Sequence, residues 1–217
     1  MAAQLFVVED YPVIRHGLTA AVAGEDDLAI CGETGSITEA RSRIPEAKPD
    51  VTLVNIFLKD GTGLRLIEDL QEEAQDLKLL VFSGQDEFLY ARRALTAGAN
   101  GYLSKEEDME TVLRATREVL DGGVYLSRKM TSVILSERIR GQAAQQSPLE
   151  GLTNRELEVF SMIGQGLGRQ EISEALSLSP KTIDTYRDHL KDKLALATNA
   201  KLRRHAAVWM ATNELPE

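Results

Sequence analysis

The sequence predicts an α/β domain followed by an all-α domain, and three observations carry that prediction. Residues 4–126 alternate five times between a short apolar run and a segment of helical periodicity. Residues 151–209 carry the helical period alone. Between them the chain decays into "RGQAAQQSPLEG", whose Gln/Ala/Ser composition is that of a linker. A length of 217 residues and a 43% hydrophobic content suit two modest domains with real cores. Charge divides at the same place. The first 147 residues hold 16 basic and 24 acidic side chains and the remainder 9 and 10, so the net charges are −8 and −1 of the total −9.

The elements of the first part follow in order. "QLFVVED" is a strand, "PVIRHGLTAAVAG" a helix, "LAICGET" a strand, "ITEARSRIPEA" a helix and "DVTLVNI" a strand. "GLRLIEDLQEEA", "LKLLVFSG", "EFLYARRALTAGA", "GYLSK" and "METVLRATREVLDGG" complete the alternation. LFVV, VTLV and LLVF are apolar on both faces, as strands are when helices cover both sides of a parallel sheet. Right-handed crossovers then give a doubly wound, flavodoxin-like (βα)5 layout.

Ligands of such sheets bind beyond the carboxyl ends of the strands. Topology therefore gathers Glu9 and Asp10 after the first strand, Asn55 at the end of the third, Ser83 after the fourth and Lys105 after the fifth. Two carboxylates, an amide, a hydroxyl and an ammonium suit a divalent cation such as Mg²⁺ beside a phosphoryl group. The carboxylates hold the cation, and the hydroxyl and ammonium meet phosphoryl oxygens.

These residues, with Pro12, Gly17–Leu18, Gly63 and "GYLSK", make residues 4–126 resemble the receiver domain of two-component response regulators. The resemblance implies that Lys105 is the receiver's lysine, that Ser83 and Tyr102 are the hydroxyl and aromatic that shift on activation, and that Glu9 and Asp10 hold the metal. It also implies an aspartate as phosphoacceptor at the end of the third strand, where this chain has Asn55. Lys59, where a proline is common, is a second departure. An amide oxygen is a far poorer nucleophile than a carboxylate, and it removes one charge from the cation site. Phosphoryl transfer is expected to fail, cation binding is expected to be weakened or absent, and no cofactor or enzymatic activity is expected. Asn55 is expected to donate to Glu9 or Asp10 and to accept from Lys105. Two alternatives stay open: that Asn55 traps an otherwise ordinary receiver, and that Asp60, five residues downstream, stands in as acceptor.

Residues 127–148 form the connection, beginning with an amphipathic helix capped by Ser127. In the all-α part, 149–217, Thr153 and Glu156 have capping-box spacing before a helix over 154–165 with Leu157, Phe160 and Ile163 on its apolar face. "GQGLG" lacks a preceding strand, so it reads as a turn rather than a phosphate loop. A short helix carries Ile172, Ala175 and Leu176. Ser179 as N-cap and Pro180 at N1 then launch a third helix, with Ile183, Tyr186, Leu190 and Leu194 facing inward. Two short helices joined by a tight turn are a helix-turn-helix.

"LTNRELEV" and "EISEALSLSPKTIDTYRDHLKDKL" make residues 151–209 similar to the C-terminal DNA-binding domain of the LuxR/NarL family. Together with a receiver in front, this is the layout of NarL/FixJ-type response regulators, DNA-binding transcription regulators that act on duplex DNA as dimers. The resemblance implies that helix 180–193 enters the major groove through Lys181, Thr182, Asp184, Thr185, Arg187, Asp188 and Lys191. It also implies that a fourth helix, 199–212, pairs two subunits, for which Leu202, Ala206 and Trp209 form a stripe; packing on the domain's own core is the rival role of that stripe. Asp184, Asp188 and Asp192 lie at i, i+4, i+8 and are awkward beside phosphates, although a carboxylate can accept from a cytosine amino group. Residues 167–205 nonetheless hold eight Lys/Arg against five Asp/Glu. Weak binding at high salt is the expectation.

A single cysteine, Cys31, excludes a disulfide within the chain and is expected to be core packing. His16, His189 and His205 lack zinc-type spacing. No apolar run reaches the roughly 18–20 residues of a membrane span, and the first residues lack a leader pattern, so a cytoplasmic protein is expected, with a sensor kinase or another regulator as a further partner. A second reading, from a different class, is a receiver-like module that binds only other proteins while its helix-turn-helix is degenerate.

Overall fold

The computed structural model describes residues 2–74, 76–140, 148–212 and 215. The chain divides into two compact units, Met1–Arg140 and Gly141–Glu217. The predicted Gln-rich linker, 141–147, lies outside the described residues.

The first unit runs β1 (Ala3–Val8), α1 (Pro12–Val22), β2 (Leu28–Thr34), α2 (Ile37–Ala47), β3 (Val51–Val54), β4 (Phe57–Leu58), β5 (Gly61–Thr62), α3 (Gly63–Glu73), β6 (Lys78–Ser83), α4 (Glu87–Ala97), β7 (Gly101–Ser104), α5 (Met109–Leu120) and α6 (Arg128–Arg140). Five strands form one parallel sheet in the order β2-β1-β3-β6-β7. The order reverses at β1, which is the predicted doubly wound topology, and it puts the carboxyl ends of β1, β3, β6 and β7 side by side. Leu5, Val7, Val51, Leu53, Leu80 and Leu103 of the sheet pack with Leu18, Val112, Ala115 and Val119 of α1 and α5. This helix layer covers that face of the sheet and explains its apolar residues.

Three local features depart from the sequence reading. The segment after β3 is not a plain loop: β4 and β5 pair antiparallel, Phe57 opposite Thr62 and Leu58 opposite Gly61. Cys31 is half-buried rather than core, because β1 pairs Leu5 with Ile30 and then Phe6 with Gly32, which leaves Cys31 as the extra residue of a bulge. The helix expected to open the linker belongs to the first unit. Ser127 Oγ accepts from Met130 N at 3.0 Å as predicted, Met130 is fully buried, and Glu87 of α4 accepts from Ser127 N at 2.9 Å. Arg92 of α4 pairs with Glu137, and the Lys129 ammonium lies 4.6 Å from the centre of the Phe88 ring. The compact unit therefore extends to Arg140 and does not stop at residue 126.

The second unit begins with a 3₁₀ turn (Pro148–Gly151) and continues with α7 (Asn154–Gly164), α8 (Arg169–Ala175), α9 (Pro180–Lys193) and α10 (Asn199–Thr212). Both predicted starts hold. Thr153 and Glu156 form the capping box, and Ser179 Oγ accepts from Thr182 N at 3.0 Å with Pro180 in the first turn. Leu157, Phe160 and Ile163 are buried together with Ile172, Ile183 and Leu190, whereas Tyr186 and Leu194 are half-buried. "GQGLG" is the turn between α7 and α8. Its first glycine serves packing: a Cβ on Gly164 would lie 2.5 Å from the carbonyl oxygen of Ala206 on α10.

Candidate functional site

The five residues predicted to meet do so at the carboxyl edge of the sheet. Glu9 is almost fully buried; its Oε1 accepts from Tyr11 N at 3.0 Å, and its Oε2 lies 2.6 Å from Lys105 Nζ. Burial pushes the Glu9 carboxyl above the ordinary glutamate range, and the Lys105 ammonium and the Tyr11 N–H pull it only part of the way back.

Asn55 closes β3, and its Nδ2 donates to Phe57 O at 2.8 Å and to Asp10 Oδ1 at 3.2 Å. Both neighbours are acceptors only, so the amide nitrogen must face them. A carboxylate in this conformation would set oxygen against oxygen on both sides. The predicted donation to Asp10 is therefore present. The predicted acceptance from Lys105 is not, because the ammonium is drawn to the buried charge of Glu9, with the Tyr11 and Phe82 rings on its other sides at 5.6 and 5.9 Å.

Gly63 is a steric requirement of the same strand end, since a Cβ there would stand 2.1 Å from the Asn55 carbonyl oxygen. Ser83 is fully buried and its Oγ accepts from Gln85 N at 3.3 Å. Tyr102 is fully buried and donates its hydroxyl to Gln85 O at 2.7 Å. Burial holds the phenol far above its usual range, offset in part by the Ser83 side chain.

Asp60 points elsewhere. Its carboxylate accepts from Ser36 Oγ at 2.6 Å, from Ile37 N at 3.0 Å and from Thr38 N at 3.1 Å, while Ser36 Oγ takes Glu39 N at 3.2 Å. The three leading N–H groups of α2 are thus all satisfied, two by a carboxylate from the β4–β5 ribbon. Burial raises the Asp60 pKa, but these hydrogen bonds outweigh it and hold the carboxyl below the ordinary value. An oxygen spent on capping a helix is not aimed at the pocket, which removes Asp60 as a substitute acceptor in this arrangement.

The residues present do not fit Mg²⁺ as arranged. Glu9 Oε2 faces an ammonium, and Asn55 turns an N–H donor, not a lone pair, toward Asp10. Among the described residues no three His, Cys, Asp or Glu side chains gather where they would hold a metal ion.

In the second unit α8 and α9 form the helix-turn-helix. Lys181, Thr185, Asp188 and Asp192 are exposed on α9, and Thr182, Asp184, Arg187 and Lys191 are half-buried. Two of the three acids are neutralised. Asp184 Oδ2 accepts from Arg169 Nη1 at 2.9 Å, and Asp188 lies 2.9 Å from Lys191 Nζ. Asp192 has no ion-pair partner among the described residues. Arg169, the first residue of α8, was not among the predicted site residues. Its only sequence signal is its share in the positive balance of 167–205, and its contact with Asp184 needs the turn between the helices. Lys193 points back to the core and pairs with Glu156 at 2.7 Å.

The stripe predicted to pair two subunits is not a free face. Leu202, Ala206 and Trp209 are 1%, 0% and 2% exposed, and the Trp209 ring packs on Phe160 of α7 with centroids 5.7 Å apart. The inward period of α10 serves this domain's own core, which is the rival role.

The comparisons agree with this architecture. Residues 5–117 match the response regulator receiver domain, and residues 150–208 match the bacterial regulatory proteins of the luxR family. The chain is similar to the DNA-binding transcriptional activator DevR/DosR of Mycobacterium tuberculosis, with 32% identity over 206 residues, 95% of this chain and 93% of that protein. It is similar to the transcriptional activator protein ExaE of Pseudomonas putida, with 34% identity over 199 residues, 91% and 92% of the two chains. Among solved structures, RcsB of Salmonella typhimurium aligns with a TM-score of 0.75 at 18% identity, covering 95% of this chain and 98% of that one. RcsB bound to the promoter rprA in the presence of a phosphomimetic aligns at 0.72 with 19% identity, covering 95% and 99%. No helix among the described residues is long and apolar enough to cross a membrane.

Proposed function

The chain belongs to the NarL/FixJ family of response regulators, a receiver domain followed by a LuxR-type domain, and on that premise we propose that it is a DNA-binding transcription regulator whose receiver works without aspartyl phosphate. One observation carries the second half of this reading. The group at the end of β3 is an amide whose nitrogen is already committed to Asp10 and Phe57. A phosphoacceptor must present an anionic oxygen to phosphorus, and Asn55 has none to present. Its neutrality also spares the pocket a third carboxylate beside Glu9 and Asp10. With Lys105 already on Glu9, the cation site is weakened, and no step depends on a bound metal.

α9 is the segment that enters the major groove, with Lys181, Thr182, Thr185 and Arg187 at its exposed or half-exposed side and Lys191 neutralising Asp188. Pairing of two copies on a two-fold DNA site uses a surface other than Leu202, Ala206 and Trp209. The family relatives that are named as transcriptional activators support the DNA-binding half of this reading, as does the RcsB of similar fold that is bound to a promoter in the presence of a phosphomimetic. Control then comes from abundance, a ligand, a partner protein or dimerisation in the cytoplasm. A sensor kinase that docks on the receiver transfers nothing to residue 55.

The test is selection from a random duplex pool with and without a small phosphodonor. A single enriched sequence, bound equally in both arms, is expected. Binding that emerges only after the phosphodonor overturns the proposal. No salt-sensitive duplex affinity in any pool, together with tight heterodimers, would favour a protein-interaction module.

A further inference from the structure

Asp184 lies on the half-exposed side of α9, where a bare carboxylate would repel DNA phosphates. It is not bare: Arg169 Nη1 reaches it at 2.9 Å across the turn of the helix-turn-helix, and the two side chains are 52% and 47% exposed. Arg187 stands three residues further along α9 and is half-buried. Burial lowers its proton affinity, the Asp184 charge raises it, and the charges of Arg203 and Arg169 lower it again. The Arg187 guanidinium therefore feels the Asp184 carboxylate of its own helix together with the charges of Arg169 on α8 and Arg203 on α10.

An exposed ion pair of this kind contributes little to stability and is readily exchanged. Phosphate oxygens match the guanidinium fork as well as a carboxylate does. On the DNA-binding reading above, we propose that Arg169 is a backbone-phosphate contact and that Asp184 is its positioning counter-ion, not a reader of bases. In the free protein Asp184 holds the guanidinium in place. On a duplex Arg169 exchanges the carboxylate for a phosphate, and the vacated Asp184 charge then lies close to the backbone. That charge opposes the backbone of any duplex, so it lowers affinity for selected and unrelated sequence alike.

The full chain is titrated against its selected duplex and an unrelated duplex over a range of salt. Arg169→Ala is expected to weaken both by a similar factor and to make the log–log salt slope shallower by about 0.9, the release expected from one phosphate contact. Arg169→Lys is expected to keep the slope, because a point charge meets a phosphate. Asp184→Asn is expected to tighten both duplexes by a similar, several-fold factor. Thermal melting without DNA is expected to match the wild type for all three, since the pair is exposed. An unchanged slope in Arg169→Ala overturns the proposal. So does an Asp184→Asn variant that loses preference at one base pair without gaining on unrelated DNA. A wild-type chain with no salt-sensitive duplex affinity defeats the DNA-binding reading and this inference together, whereas normal wild-type binding with either failing pattern defeats the inference alone.

Discussion

At the scale of single residues, the carboxyl edge of the sheet is set by what each group can donate or accept. Asn55 fits because both its neighbours are acceptors, and Gly63 fits because nothing larger than hydrogen can stand beside the Asn55 carbonyl. Gly63→Ala forces that backbone apart and should cost about 1–3 kcal/mol or more, read from the midpoint of chemical denaturation. Asp60 makes a prediction about pH. Its folded-state pKa lies below the ordinary aspartate value of 3.8, so in the window between the two the unfolded chain binds more protons. The stability it contributes is therefore fully present above that value and is lost as pH falls through the depressed folded one. Asp60→Asn should flatten the acid limb of a stability-against-pH curve below pH of about 4. Asp60→Ala should cost about 0.5–2 kcal/mol near neutrality through loss of the α2 cap.

At the scale of elements, one helix face can serve only one master. The apolar period of α10 is spent on α7, where Gly164 allows close approach and Trp209 meets Phe160. Trp209→Ala should therefore destabilise the second unit by about 3–5 kcal/mol. Melting followed at several protein concentrations separates the two roles: burial in the core predicts the same loss at every concentration, whereas a subunit seam predicts a loss confined to high concentration. α6 illustrates the same rule. Its periodicity alone does not say what it faces, and Glu137, Lys129 and the Ser127 cap all turn toward α4 while Met130 is buried.

At the scale of the whole molecule, a chain of net charge −9 approaches a polyanion through a segment of local charge +3. Counterion release then makes duplex affinity fall steeply with salt, and electrostatics beyond the segment oppose binding. On the proposed reading, in which Asn55 accepts no phosphoryl group, a phosphodonor should change neither the affinity nor the mass of the intact chain. The same experiment on Asn55→Asp asks whether the rest of the pocket retains its chemistry. A mass increase of one phosphoryl group in that variant, absent from the wild type, is the expected outcome by mass spectrometry.

The sequence by itself determined the two-domain plan, the five βα units, the caps at Ser127, Thr153 and Ser179, and the gathering of Glu9, Asp10, Asn55, Ser83 and Lys105. Hydrophobic period, cap chemistry and parallel topology are local or follow from connectivity, so they are written along the chain. Only the tertiary structure decided which partner each charged group takes. Lys105 chose Glu9 over Asn55, Asp60 capped α2 across 23 residues, and Arg169 met Asp184 across a turn. It also decided what covers an apolar stripe, since Leu202, Ala206 and Trp209 have the same spacing whether they face a neighbour or their own core. Charge pairing and burial depend on distances between segments remote in sequence, and those distances exist only once the chain has packed.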